Sequence, residues 1–77
     1  MSSSLNDTQR GRFRFRVAEY ADGTPWIMTD PLWPQDRLKI LGQGFVGFDL
    51  KPGTSYEQAE KIAHFMNEHI EYITATL

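Results

Sequence analysis

Arg12-Phe13-Arg14-Phe15-Arg16-Val17 alternates charged and apolar side chains without a break. A period of two marks a strand with one buried face, because successive side chains of an extended chain point to opposite sides. Further along stands Asp22-Gly23, a pair suited to the positive φ of a two-residue hairpin turn. Trp26-Ile27-Met28-Thr29 then reads as the return strand. With Asp22-Gly23 as the loop, Val17 faces Met28 and Glu19 faces Trp26. Phe13, Phe15, Val17, Trp26 and Met28 then share the core face, while Arg12, Arg14, Arg16, Ala18, Tyr20, Ile27 and Thr29 share the other. A slip of one residue exchanges the faces of an entire strand, so the turn decides this assignment.

Beyond the hairpin, Asp30-Pro31-Leu32-Trp33-Pro34-Gln35-Asp36 carries two prolines and cannot lie inside a sheet. Leu38-Lys39-Ile40-Leu41 reads as a short third strand. After Gly42-Gln43-Gly44, the run Phe45–Leu50 reads as a fourth, with Val46, Phe48 and Leu50 inward. Thr54-Ser55-Tyr56-Glu57 matches a capping box with Thr54 as the cap. The helix it opens is expected from Ser55 to Ile73, roughly 28 Å at 1.5 Å per residue. Ala59, Ile62, Ala63, Met66, Ile70 and Ile73 step by three or four, the amphipathic spacing. Tyr56, Phe65 and Tyr72 widen that arc to roughly 200°, where packing on one sheet needs about 100°. Either the sheet curls around the helix or a second surface covers Phe65 and Tyr72. The expected fold is α+β: a three- or four-stranded, mainly antiparallel meander with one long C-terminal helix packed on one face.

The chain has 77 residues, no cysteine and a net charge of −2. That length holds one small domain, residues 11–77, behind a serine-rich N-terminal tail, residues 1–10, read as disordered. Such a domain buries only about 60% of its chain surface, which makes its stability marginal. Without cysteine there is no disulfide and no thiolate zinc site. No apolar run approaches the ~20 residues of a membrane span, and residues 1–10 hold no hydrophobic stretch of a secretory signal. A cytoplasmic protein with no membrane association is the expectation. Charge is split along the chain: four arginines against Asp7 and Glu19 give residues 1–20 a net +2, and four glutamates against Lys61 give residues 54–77 a net −3.

Gly42-Gln43-Gly44-Phe45-Val46-Gly47 matches G-x-G-x-x-G letter for letter. A phosphate cradle needs a helix beginning inside that motif. Here the capped helix opens about seven residues later, so the glycines read as a turn and a bulge. Glu60, His64 and Glu68 are spaced to share one helix face, a row that also suits a solvated surface. His69 falls within the apolar arc and is expected to be partly buried and hydrogen-bonded. No catalytic, cofactor or metal residues are assigned, and none of these features points to an enzyme.

Two surfaces remain. Arg12, Arg14 and Arg16, two apart on a strand, stand about 6.6 Å from one another, near the phosphate spacing of a nucleic-acid strand, and Tyr20 could stack on a base. The same arginines could instead pair across the sheet with Asp49 or Thr29, or hold an acidic partner. Phe65, Tyr72, His69 and Trp33 are the candidates for self-association. Trp33, between two prolines, reads first as a lid over one end of the core and second as a partner anchor.

A short hairpin, further strands and a capped helix opening Gly53-Thr54-Ser55-Tyr56-Glu57-Gln58-Ala59 resemble in outline the HicB-like antitoxins. That resemblance spans residues 12–73 and implies a small bacterial protein that binds and silences an RNA-cleaving toxin. The family's Pro-Gly-Cys segment is missing, and no DNA-binding extension follows Leu77. The expected function is a non-enzymatic protein-interaction or regulatory module, homodimeric. Single-stranded nucleic-acid binding through the arginine face is the alternative.

Overall fold

The computed structural model describes residues 10–38 and 46–74. Along the chain it forms β1 (Arg10–Glu19), β2 (Pro25–Pro31), a 3-10 turn (Pro34–Asp36), β3 (Gly47–Asp49), α1 (Tyr56–His69) and β4 (Tyr72–Thr74). The strands make one sheet in the order β3-β2-β1-β4, antiparallel throughout. This is the α+β arrangement expected, with the sheet curled into a half-barrel rather than flat. The expected third strand at 38–41 lies outside the described residues apart from Leu38, which is buried. Most of the glycine motif at 42–47 lies outside them too.

The hairpin forms, but one register step away from expectation. Arg16 pairs with Met28, Val17 with Ile27 and Ala18 with Trp26. The turn explains the step. Gly23 donates its N–H to the Tyr20 carbonyl at 2.8 Å, and Tyr20 donates to Thr24 at 2.9 Å. The loop is therefore three residues, Ala21-Asp22-Gly23, with only Gly23 at positive φ (+88°). A two-residue type I′ loop would need positive φ at Asp22 as well; the three-residue loop with a left-handed glycine avoids that strain. Asp22 adds an acceptor for the Thr24 N–H at 2.9 Å.

That step decides what is inside. Phe15 and Ile27, 2% and 0% exposed, meet Ala59 and Ala63 of α1, with Val17, Leu50, Met66 and Ile73 packed around them. Thr29 is buried beside them and donates its hydroxyl to the Val46 carbonyl at 2.7 Å. Trp26 and Met28, expected in the core, move to the arginine side. Phe48 stays on the core side, its ring 6.2 Å from that of Phe15, although it is part-exposed at the sheet edge.

The helix differs from expectation at both ends. Its cap is Ser55, whose hydroxyl accepts from Gln58 N–H while the Gln58 side chain accepts from Ser55 N–H. The box is thus one residue later than Thr54 and Glu57. Its C-terminus comes at His69, four residues short of Ile73, because Ile70-Glu71-Tyr72-Ile73-Thr74 is rich in β-branched and aromatic residues. The edge of β1 at Arg10–Arg12 accepts this segment as β4, with Gly11 opposite Ile73 and Arg12 opposite Tyr72. Pairing on an open edge outweighs another turn of helix here.

Candidate functional site

On the inner side of β1 stand Phe13, Phe15 and Val17; on the outer side stand Arg12, Arg14 and Arg16, all exposed. The helix covers the inner side only, through Ala59 and Ala63. The outer side therefore shows every even-numbered residue of β1 together with its cross-strand neighbours. These are Trp26, Met28 and Asp30 of β2, Asp49 of β3 and Tyr72 of β4.

Two of the four arginines have side-chain partners. The Arg10 guanidinium lies over the Tyr72 ring, 4.2 Å from its centre, a cation–π contact. Arg16 reaches the Asp30 carboxylate and the Met28 sulfur, the latter at 2.9 Å. The Arg12 and Arg14 guanidiniums have no hydrogen-bond or ion-pair partner among the described residues. Counting Asp30 and Asp49 against the four arginines, this face keeps a net +2 on a chain whose total is −2. Neither Asp49 nor Thr29 pairs with an arginine: Thr29 is buried on the other side, and Asp49 accepts from Tyr20.

At the hairpin end of the face, Tyr20 and Trp26 stack, their centroids 5.4 Å apart and their planes 24° from parallel. Tyr20 is held by its hydroxyl, which donates to the Asp49 carboxylate at 2.6 Å. That bond to an acceptor, with burial and the Asp49 charge as lesser causes, raises the Tyr20 pKa above its ordinary 10.0. Across the sheet, the Trp26 six-membered ring lies over Gly47 so closely that a Cβ there would stand 2.7 Å from Cζ3. A side chain at position 47 would thus displace the ring. The two rings form a fixed aromatic platform beside the arginine row.

One residue outside the expected site braces this strand. The Asn67 carboxamide accepts from the Phe15 N–H and donates to the Phe15 carbonyl, both at 2.8 Å. It occupies the edge of β1 past the end of β4, as a paired strand would. An asparagine late in a helix, where propensity disfavours it, was the available signal. Trp26 was missed for a different reason: the register step placed it in the core.

The expected self-association set is dispersed. Tyr72 lies in β4 opposite Arg12, on the arginine face. Trp33, 56% exposed ahead of the 3-10 turn, is no lid over the core. Phe65 and His69 stay together on α1, rings 4.2 Å apart, but His69 is exposed rather than partly buried. His64 sits 3.5 Å from Glu68 on the solvated helix face. Among the described residues no three His, Asp or Glu side chains converge as metal ligands, and no helix is long and apolar enough to cross a membrane.

No family model, no curated protein and no solved structure matches the chain. Nothing in those comparisons bears on the outline likeness to HicB-like antitoxins.

Proposed function

We propose that the protein is a non-enzymatic binding module whose working surface is the outer sheet face, and that its ligand is single-stranded nucleic acid. The observation that supports this reading is the juxtaposition of two unpaired guanidiniums, Arg12 and Arg14, with the Tyr20–Trp26 platform on the sheet face opposite the helix. Guanidiniums roughly 6.6 Å apart on a strand suit successive phosphates, and an aromatic platform at the end of the row suits a base. The positive field is local, so the negative total charge sets weak rather than absent affinity.

Titrating a fluorescein-labelled oligouridylate by anisotropy at two salt concentrations tests this. Binding should weaken with salt by a log–log slope of about −0.7 per phosphate contact, and Arg12→Ala/Arg14→Ala should abolish it. Binding indifferent to salt and to those substitutions contradicts the proposal. A second reading, a protein-interaction module that pairs with a copy of itself, is favoured by one observation: Phe65 is 61% exposed on an otherwise well-formed helix.

A further inference from the structure

We infer that a second copy of this chain docks antiparallel along one flank of α1, in a short coiled-coil seam made by Ile62, Phe65 and His69 and closed by Lys61 of each copy against Glu68 of the other. The inference rests on the self-association reading and gives it a surface and an orientation.

Helix α1 buries little of its own apolar bulk. The two residues it buries are the alanines Ala59 and Ala63, which let the backbone approach the sheet closely. Ile62 and Phe65 are left 37% and 61% exposed. With Gln58 and His69 they follow the spacing 58, 62, 65, 69, the alternating four-and-three step of a coiled-coil seam. At 100° per residue that line runs roughly 100° around the helix from Ala59 and Ala63, so it is separate from the face on the sheet. The Phe65 and His69 rings lie 4.2 Å apart with their planes tilted by 32°, a two-ring patch in the C-terminal half of the line.

The flanking charges select the orientation. Lys61 and Glu68 are seven residues apart and occupy the same flank, one at each end of the seam. In a parallel pair, like flanks lie on opposite sides of the seam. In an antiparallel pair centred near Phe65, Lys61 of one copy meets Glu68 of the other, twice by symmetry. Among the described residues, the ion-pair partner of Glu68 within its own copy is His64, at 3.5 Å. Two heptads alone would not hold a free helix pair. Here the helix is already ordered by its capping box and by the sheet, so association meets little folding cost. The arginine faces remain on the outside of such a dimer.

Sedimentation equilibrium over a concentration series tests the seam. The wild-type chain should rise with concentration toward twice its 8.9 kDa mass. Phe65→Glu should keep the wild-type helical circular dichroism and remain at 8.9 kDa throughout. Lys61→Glu should weaken association at least tenfold, and Lys61→Glu/Glu68→Lys should restore it, since both cross-pairs are rebuilt with signs exchanged. A monomer at every concentration overturns self-association altogether. A dimer indifferent to Phe65→Glu, or one that the double exchange fails to restore, keeps self-association and overturns this seam. The charge variants decide the matter even if Phe65→Glu fails to fold.

Discussion

The two faces of β1 come from alternate residues of the same strand and are satisfied in opposite ways. On the inner face, Phe13 and Phe15 are buried, and Asn67 occupies the Phe15 backbone groups from the side. On the outer face, the Arg12 and Arg14 guanidiniums have no hydrogen-bond or ion-pair partner among the described residues, and the nearby carboxylates serve Arg16 and Tyr20 instead. The inner face is closed by the chain itself. The outer face keeps its strongest donors open while its aromatic rings are fixed by one another, by Gly47 and by Asp49. A strand that stabilises through one face and recognises through the other is the physical content of the proposal.

Substitutions separate the two faces in order of effect. Phe15→Ala should cost about 3–5 kcal/mol, enough to remove cooperative urea unfolding from a domain with so small a core. Asn67→Ala should cost about 1–3 kcal/mol because two strand groups lose their partner, read as a lower urea midpoint at unchanged slope. Arg14→Ala should change stability by no more than about 0.5 kcal/mol while oligonucleotide binding weakens. A large stability loss at Arg14 would break the division between the faces.

Smaller effects sharpen it through pH. The bond to Asp49 favours the neutral Tyr20 phenol, so its contribution is present below pH 10.0 and lost as pH rises through the raised folded value. The melting temperature of the wild type should therefore fall more steeply above pH 10 than that of Tyr20→Phe. Asp22 has the opposite sign. The Thr24 N–H lowers its pKa below the ordinary 3.8, so its contribution is present above that value and lost as pH falls through the lowered one. Asp22→Ala should lower stability at neutral pH and flatten the acid limb, so that the two proteins converge as pH falls below the lowered value.

How legible the molecule was depended on whether a local pattern had competition. The strict alternation at 12–17 fixed both faces of β1 correctly, since no helix or turn motif competes there. The return strand went wrong at Asp22-Gly23, because the dipeptide serves two-residue and three-residue loops alike and only the φ of Asp22 distinguishes them. That step exchanged Trp26 and Met28 for Ile27 and Thr29 in the core. The end of α1 was illegible for a non-local reason. His69-Ile70-Glu71-Tyr72-Ile73 fits a helical wheel, and only the open edge of β1, more than fifty residues earlier, turns it into β4. With the true end, Tyr72 leaves the helical arc and joins the arginine face. The arginine half of the candidate site was therefore readable from sequence, whereas its aromatic half required the pairing.

Whether the outer face is the recognition surface is decided by titrating ¹⁵N-labelled protein with a short single-stranded oligonucleotide and following amide and indole shifts. Perturbations are expected at Arg12, Arg14, Tyr20 and the Trp26 indole, with Glu57, Glu60 and Phe65 of α1 unmoved. No perturbation, or one confined to α1, would contradict it.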